Sequence, residues 1–442
     1  MKSSLPKVLH RVGGQTMIER VVGLAERTGV SGIVAVMSAD GLKPAREKLN
    51  ARADYVVQRE RLGTGHALTC AKRKLAGHQG AVLVLNGDGV LYTAGTLKRL
   101  ISKHRRCGAA ATVLTADYPD PAGYGRIVRD EKGGVLAIVE ERDATPEQRR
   151  IREVNSSVYC FEWRKVSRAL NHIGRDNDQG EFYLTDVISY FRARRERVET
   201  YKTGNWRETL GVNSRRELAF VQDIVWEMKR DKLMASGVTL VEPQTVYVDD
   251  VAVIGRDTTV FPGTFISGKS RVGSGCRIGP YTVIEDCVIA DDAAVIMSHC
   301  ERARINRGAA VGPFAHLRPG ARIGAGDRIG NFVEVKNSRI GPNTNAAHLT
   351  YLGDAVVGSG VNIGAGTITA NYDGKRKHRT VIDNGASTGC NTVLVAPVRV
   401  GREAKTGAGT VVPKGQNVPR GQTVVGAPAR RLGKRKKGAR NA

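Results

Sequence analysis

The sequence predicts an α/β domain followed by a parallel β-helix of hexapeptide repeats. Two observations predict this fold: a change of composition near residue 240 and a six-residue period beyond it. Leucine falls from 21 in residues 1–244 to 5 in residues 245–442, whereas glycine rises from 23 to 29. A chain of 442 residues is also long enough for two or three domains, at about 150 residues each.

The first segment alternates short apolar runs with amphipathic stretches. We predict strands at 32–37, 81–85, 109–115 and 135–139, and helices at 16–28 and 96–105. Alternation of this kind is typical of a mostly parallel α/β sheet.

A connector helix is predicted next, because Ser214 and Glu217 form an S-x-x-E capping box and Gly237 supplies a stop. Apolar residues follow the box at helical spacing. We expect the α/β domain at 1–206, the connector at 207–237, the β-helix at 238–432 and a basic tail at 433–442.

Aliphatic residues of the second segment recur every six positions. One run is Ile254, Val260, Ile266, Val272, Ile278 and Ile284, and another is Ile305, Val311, Leu317, Ile323, Ile329 and Val335. This period predicts a β-helix with three short strands in each coil of about 18 residues. Roughly ten such coils fit into residues 245–432. The spacing fails near 298–304, loses one residue between Val335 and Ile340, and is interrupted by a polar loop at 371–378.

The repeat places two cations on successive coils. Leu317 and Val335 are 18 positions apart, so Arg318 and Lys336 are equivalent, with backbones about 5 Å apart. Like charges in this arrangement destabilise a sheet, and a shared phosphate would remove the repulsion. The alternative is that both side chains extend separately into water.

Further reactive side chains fall on the next coil. A step of 17 aligns Glu334 with Tyr351 and Asn331 with His348. Cations, a carboxylate, a phenol and an imidazole on neighbouring coils indicate a catalytic site.

The first segment carries weaker signals. Asn86 and Asp88 follow the strand predicted at 81–85, where α/β folds bind nucleotides and metals; an ordinary turn is the alternative. The glycine-containing turns at 58–66 and 123–127 offer backbone N–H groups to a ligand.

Composition excludes several classes of protein. Lys and Arg number 69 against 43 Asp and Glu, a net charge of +26, which invites a nucleic-acid hypothesis. Aromatic residues make up only 5% and no nucleic-acid-binding motif is present, so an enzyme with phosphate ligands is favoured over a nucleic-acid partner. No apolar run approaches the roughly 20 residues of a membrane span, and no secretory signal opens the chain. Seven cysteines without a C-x-x-C pair indicate a reduced, cytoplasmic protein.

Specific strings link the chain to one family. They are LPKVLH (5–10), LGTGHA (62–67), GYGRI (123–127), IVEERDAT (138–145), GEFYLTD (180–186), GVNSR (211–215), GPFAHLRPGA, GNFVEVKNS, HLTYLGD, NIGAGTITANYDGK and LVAPV. With them the chain resembles the bacterial family, of the GlmU type, of bifunctional N-acetylglucosamine-1-phosphate uridylyltransferases/glucosamine-1-phosphate N-acetyltransferases.

The resemblance implies two reactions and their substrates. A left-handed β-helix acetylates glucosamine 1-phosphate with acetyl-CoA, and a Rossmann-like nucleotidyltransferase domain transfers UMP from UTP to N-acetylglucosamine 1-phosphate with Mg²⁺. The product, UDP-N-acetylglucosamine, supplies peptidoglycan, lipopolysaccharide and the cell wall. The resemblance also implies a homotrimer.

The resemblance assigns the acetyltransferase residues. It implies that His348 is the general base, that Glu334 orients the site, and that the backbone of Ala365 stabilises the oxyanion. The sugar phosphate would be held by Arg318, Lys336, Tyr351, Asn362 and Lys377. Acetyl-CoA would contact Ala365, Asn371, Tyr372, Cys390, Ala408 and Arg430, with Cys390 in place of the usual serine.

The nucleotide site is assigned in the same way. The implied contacts are Lys7, Gln58, Gly63, Thr64, Asn86, Asp88, Gly125, Glu140, Asn155 and Asn213, with Asn86 in place of a tyrosine. Asp88 and Asn213 would ligate Mg²⁺, which prefers oxygen donors.

The beginning of the chain departs from the family pattern. The family opens with a strand and a glycine-rich loop, reading like LAAGxGTRM, whereas LPK begins here at residue 5. We therefore expect the natural start codon to lie upstream, and uridylyl transfer to be weak without the phosphate-binding loop.

Two other functions remain open from the sequence. Some translation-factor regulatory subunits share this layout and act as non-catalytic scaffolds, although the retained Arg318, Lys336 and His348 favour an enzyme. The basic stretch at 430–440 would be an RNA anchor in a third interpretation, tested by salt-dependent binding.

Overall fold

A computed structural model describes residues 1–431, which fall into two units, Met1–Val225 and the chain from Trp226 onward. The basic tail predicted at 433–442 lies outside the described residues. Among residues 1–431, no helix is both long enough and apolar enough to cross a membrane.

The first unit alternates strands and helices. Its strands are β1 (Arg11–Val12), β2 (Gln15–Thr16), β3 (Val34–Ser38), β4 (Asp54–Gln58), β5 (Ala81–Val84), β6 (Ala111–Asp117), β7 (Arg126–Arg129), β8 (Val135–Val139), β9 (Glu153–Glu162) and β10 (Val198–Lys202). Its helices are α1 (Met17–Thr28), α2 (Ala39–Leu49), α3 (Thr64–Ala71), α4 (Ala94–Cys107), α5 (Pro146–Arg149), α6 (Trp163–Ala169) and α7 (Asp186–Ala193), with 3-10 turns at Lys7–Leu9, Asn50–Arg52 and Trp206–Thr209. The predicted elements are present, with ends shifted by at most two residues.

The main sheet of this unit has the order β10-β6-β9-β7-β8, and β5 also pairs with β9. The prediction of a mostly parallel sheet is wrong here: β10 and β6 are parallel, but β9 runs antiparallel to β5, β6 and β7. Nearly every residue of β9 is buried, and a continuous buried run has the pattern of a parallel strand whichever way it points. A separate parallel pair joins β3 to β4, and within residues 1–431 the other edges of β3 and β5 carry no strand.

Helix α8 (Arg215–Ala235) begins near the end of the first unit. The Ser214 hydroxyl accepts a hydrogen bond from the Glu217 N–H at 3.1 Å, as a cap should. The predicted reciprocal bond is different: the Glu217 carboxylate accepts from the N–H of Asn213 at 2.6 Å. The helix ends two residues before Gly237, whose φ of +88° suits glycine.

The second unit is a three-faced prism of short parallel strands. Face 1 contains Thr239–Leu240, Thr259–Val260, Arg277–Ile278, Ala294–Val295, Ala310–Val311, Arg328–Asn331, Asn345–His348, Asn362–Ile363, Ser387–Thr388, Lys405–Thr406, Thr423–Val425 and the antiparallel Arg430–Arg431. Face 2 contains Tyr247–Val248, Phe265–Ser267, Val283–Glu285, His299–Glu301, His316–Leu317, Glu334–Lys336, Tyr351–Gly353, Ile368–Ala370, Val393–Val395 and Val411–Val412. Face 3 contains Val253–Ile254, Arg271–Val272, Val288–Ile289, Arg304–Ile305, Arg322–Ile323, Arg339–Ile340, Ala355–Val357, Thr380–Ile382 and Val398–Val400.

The six-residue period is confirmed, because its aliphatic residues point inward and form one continuous buried core. The prism also continues where the spacing fails. Cys300 is fully buried and pairs with Ile284 on one side and Leu317 on the other, through coils of 16 and 17 residues. Single residues are therefore lost at the corners while the faces stay in register.

The polar loop is the largest departure from the repeat. Val356 pairs with Val381, a step of 25 residues where neighbouring coils use 17 or 18. Residues 371–378 accordingly project from the prism as an insertion, closed by an antiparallel bridge between Tyr372 and Lys377.

Candidate functional site

The outer surface of face 2 gathers the predicted cations. Arg318 Nη1 donates to Glu334 Oε1 at 2.8 Å, across two neighbouring coils. This ion pair raises the pKa of Arg318, chiefly through the hydrogen bond to Glu334. The guanidinium is thus held along the face instead of extending freely into water.

Lys336 and Lys377 lie beside each other although they are far apart in sequence. Lys377 reaches the face from the projecting loop, and its ammonium lowers the pKa of Lys336, with a smaller contribution from Arg318. Three cations therefore meet at one place, and their mutual repulsion favours an anionic ligand there.

Tyr351 and His348 follow from the next coil, at the predicted register. Glu334 pairs with Tyr351 and Asn331 with His348. A Cβ at Gly353 would overlap the Tyr351 ring, so glycine there lets the phenol lie flat on the face. His348 ends its strand with an exposed side chain, open to a substrate.

A column of equivalent positions runs along one corner of the prism. Ala365, Cys390 and Ala408 lie on successive coils, since Asn391 N–H donates to the Ala365 carbonyl and Gly409 N–H to the Cys390 carbonyl. Side chains at Gly364 and Gly389 would strike the next coil, so glycine keeps the column close-packed.

Arg430 lies near the end of this column. Val425 stands over Gly407, where a Cβ would meet its side chain, and pairs with Arg430 in antiparallel register. Asn362 begins the face 1 strand that precedes Ala365 and is exposed.

The projecting loop is tied to the prism at its base. Asn371 is 7% exposed and donates to Asp354 Oδ2 at 2.5 Å, whereas Tyr372 is 62% exposed. Within the loop the N–H of Arg376, the His378 imidazole and the N–H of Lys375 all donate to Asp373 and hold its pKa below the usual range.

Sequence reasoning missed Asp354 and Asp373. Asp354 also accepts from Asn337 Nδ2 at 2.6 Å, and Asn337 and Asp354 are one 17-residue step apart. The register that aligned Glu334 with Tyr351 would have found this pair as well.

In the first unit, two oxygen donors converge on one cation. Lys7 Nζ donates to Asp88 Oδ2 at 2.6 Å and to Asn213 Oδ1 at 2.9 Å. A carboxylate and an amide oxygen that already share a cation form a donor set suited to Mg²⁺.

A second group surrounds the start of α3. Gln58 Nε2 donates to the carbonyl of Gly63 at 3.1 Å, and Gly63 has a φ of +98° with no room for a Cβ. The Thr64 hydroxyl accepts from Leu184 N–H. Asn86 lies two residues past β5, where its carbonyl accepts from Gly89 N–H.

A third group is buried around β7. Gly125 leaves space that the Glu140 carboxylate occupies. The Gly125 carbonyl accepts a hydrogen bond from the Asn155 N–H. Burial raises the pKa of Glu140, an effect that the Thr185 hydroxyl partly offsets. The Asn155 side chain donates to Tyr159 Oη at 2.7 Å. The described contacts join the predicted residues of the first and third groups. In the second group they join Gln58 to Gly63, whereas Thr64 and Asn86 bond to residues outside the predicted set.

Comparison with known proteins covers both units. A profile of the family described as Nucleotidyl transferase matches residues 2–217. The protein of Heliobacterium modesticaldum named Bifunctional protein GlmU is 47% identical over 425 residues, 96% of this chain and 92% of its own length. Proteins of that name are 47% identical in Carboxydothermus hydrogenoformans, over 93% of this chain and 92% of the relative, and 43% in Bacillus velezensis, over 98% and 94%.

Proposed function

This chain belongs to the family of bifunctional GlmU proteins, and we propose that each of its two units carries one of the family's two reactions. The chain is a bifunctional enzyme of UDP-N-acetylglucosamine synthesis, a glucosamine-1-phosphate N-acetyltransferase and a UDP-N-acetylglucosamine pyrophosphorylase. Its fold is an α/β nucleotidyltransferase domain followed by a left-handed parallel β-helix of hexapeptide repeats.

The cluster of cations on face 2 carries the acetyltransferase proposal. Arg318, Lys336 and Lys377 carry three positive charges against the two negative charges of Glu334 and Asp354. The phosphate of glucosamine 1-phosphate supplies the missing negative charge. Tyr351 and Asn362 complete the sugar site. Glu334 fixes the guanidinium that contacts the phosphate.

His348 removes the proton in the proposed acetyl transfer. The substrate amine attacks the thioester carbonyl of acetyl-CoA and a C–N bond forms while the imidazole takes the proton from the nitrogen. The C–S bond then breaks, and CoA leaves as a thiolate that receives this proton. The N–H of Ala365 donates to the developing oxyanion. Acetyl-CoA lies along the corner column, against Cys390, Ala408 and the loop residues Asn371 and Tyr372, with Arg430 at its end.

The first unit holds the nucleotide sugar in this proposal. Gln58 ends β4, Asn86 follows β5, and Gly63 and Thr64 lie at the start of α3. Backbone and amide groups at such positions bind a base or phosphate. Gly125, Glu140 and Asn155 form the buried group around β7 that faces the sugar.

Asp88 and Asn213 would hold Mg²⁺ through their oxygens, and the bound ion neutralises charge on the phosphates. Lys7 bridges these two residues at 2.6 and 2.9 Å and contributes its own positive charge to the phosphates.

An exposed apolar ridge supports a homotrimer. Tyr281, Phe314, Phe332 and Leu349 occupy one corner of the prism and are 69%, 53%, 60% and 63% exposed. Phe314 and Phe332 stack with centroids 5.3 Å apart. Large apolar side chains that remain exposed together mark an interaction surface, and a second copy of this chain is the proposed partner.

The substrates are the small molecules named above, with acetyl-CoA as co-substrate, and a nucleic acid is not among the proposed partners. All seven cysteines are free, which supports a reducing, cytoplasmic location.

Two assays on the full chain test the proposal. Thiol release from acetyl-CoA with glucosamine 1-phosphate reports the first reaction, and pyrophosphate release from UTP with N-acetylglucosamine 1-phosphate reports the second. Asp88→Asn should abolish the second reaction and leave the first unchanged. Loss of both reactions in this variant would contradict the division of labour, and absence of both from the unmodified chain would favour the scaffold.

A further inference from the structure

Two histidines and a glutamate meet on the outer surface of face 2: His316 lies two residues before Arg318 of the cation cluster, and His299 and Glu301 lie on the preceding coil. His299 and His316 are direct partners on neighbouring parallel strands. Glu301 follows His299 by two positions in the same strand, and residues two apart in a strand point to the same side of a sheet. The register alone therefore brings these three side chains together.

The distances between their ligand atoms suit a metal ion. His299 Nε2 lies 3.2 Å from Glu301 Oε1, and the two imidazole rings are stacked with centroids 5.3 Å apart. One ligand atom from each residue lies within 4.8 Å of the other two. Ligands bound to a tetrahedral ion at about 2.0–2.1 Å are roughly 3.4 Å apart, so small side-chain rotations close the set.

His316 provides an independent sign of a missing ligand. Its Nε2 is buried, and within residues 1–431 it has no hydrogen-bond partner. Buried polar atoms are normally satisfied, and an exception calls for an explanation such as an ion. A metal ion bound by this nitrogen would supply the missing partner.

We propose that His299, Glu301 and His316 form a Zn²⁺ site with an open fourth position. Two imidazoles and one carboxylate are a common zinc donor set, whereas Mg²⁺ and Ca²⁺ prefer sites made only of oxygen. The three ligands are distinct from the residues assigned above to acetyl transfer, so the proposal does not depend on that assignment.

The charges on either side of the site partly balance. Glu285 is the partner of Glu301 on the preceding coil and adds negative charge. Arg318 lies on the following coil, where Glu301 contributes to raising its pKa, but its guanidinium is paired with Glu334 at 2.8 Å. A bound Zn²⁺ would therefore have the acidic Glu285 on one side and the ion pair of Arg318 with Glu334 on the other.

Sequence reasoning did not find this site. The six-residue spacing fails at 298–304, and only the observed 17-residue step shows that His299 stacks on His316.

Zinc binding to the full chain tests the proposal. Metal-free protein is titrated with Zn²⁺ against a chromophoric chelator, in excess Mg²⁺ so that oxygen-donor sites are filled. His299→Gln, Glu301→Gln and His316→Gln should each weaken binding by roughly 10²-fold or more, since even loss of a group that only orients a ligand costs 10–100-fold. With Co²⁺ the unmodified chain should show the visible absorption of a four-coordinate ion, and the variants should not.

His378→Gln is the matched control. His378 also faces a carboxylate, Asp373, at 2.6 Å, but lies outside the cluster, so this variant should bind zinc as the unmodified chain does. The His299 side chain is 47% exposed, so its substitution leaves packing intact, and an unchanged unfolding midpoint of the metal-free protein checks this. Zinc affinity in His299→Gln and Glu301→Gln equal to that of the unmodified chain would overturn the proposal.

Discussion

Arg318 donates to Glu334 across two coils of the prism at 2.8 Å, and both side chains are about two-fifths exposed. An ion pair as exposed as this contributes little to stability. Its effect is on position: the guanidinium lies beside Lys336 before any ligand arrives, and less side-chain entropy is lost when a phosphate binds.

The exposed imidazole at the end of a face 1 strand leads to the first prediction. His348→Ala should slow acetyl transfer by about 10²–10⁴ because the amine loses its proton acceptor. Binding of glucosamine 1-phosphate, measured by calorimetry, should persist. UMP transfer by the same variant serves as the control. Acetylation at the rate of the unmodified chain would exclude His348 as the base.

The loop cation leads to the second prediction. Lys377→Ala should weaken the binding of glucosamine 1-phosphate far more than the binding of unphosphorylated glucosamine. Lys377 is one of the clustered cations whose mutual repulsion the phosphate relieves. Lys375→Ala removes an exposed charge from the same loop and should change neither affinity. KM values for both sugars measure the difference. If Lys377→Ala weakens the binding of both sugars equally, the cluster does not bind the phosphate.

A buried carboxyl inside the prism leads to the third prediction. Asp327 is 1% exposed and accepts from Gly324 N–H at 2.5 Å and Thr344 N–H at 2.9 Å. Burial raises its pKa to about 6, while these two N–H groups act in the opposite direction. Between about pH 4 and pH 6 Asp327 therefore keeps its proton in the folded state. In the unfolded chain, where the pKa of an aspartate is about 3.9, it has released that proton.

The sign of the pH effect follows from this difference. The stabilising contribution of the Asp327 proton is complete below about pH 4 and is lost as the pH rises through about 6. Relative to Asp327→Asn, the unmodified chain should gain stability as the pH falls from 6 to 4. Unfolding midpoints of both proteins across this range measure it. A constant difference between them would show that Asp327 does not titrate.

The apolar ridge leads to the fourth prediction. Phe332→Asp places a charge in the centre of the proposed contact between copies and should convert the trimer to monomers, as measured by light scattering. Val253→Asp, on face 3 and 52% exposed, is the matched control and should stay assembled. An assembled Phe332→Asp would place the contact on another surface.

The stacking on faces 1 and 2 could be predicted from the sequence because the prism has a fixed period. Counting steps of 18 and 17 placed Glu334 against Tyr351 and Asn331 against His348, as observed. Counting failed where several short steps follow one another, so the pairing of His299 with His316 required the structure.

The α/β unit was predictable in its elements but not in their directions. Burial fixes which residues of β9 face the core, yet it is the same for a strand of either polarity. Likewise the capping signal at Ser214 was visible, but the residue pattern did not show that the Glu217 carboxylate accepts from Asn213 instead of Ser214.

The insertion at 371–378 leaves Val356 paired with Val381 and the coils on either side aligned. Residues added or removed at a corner therefore leave the strands of all three faces in register. A scaffold of this kind lets its protrusions diversify independently of its core. A segment grafted in place of this loop should be displayed at a fixed height beside Arg318 and Lys336. Because the graft removes Lys377, it should also change which acceptor binds there.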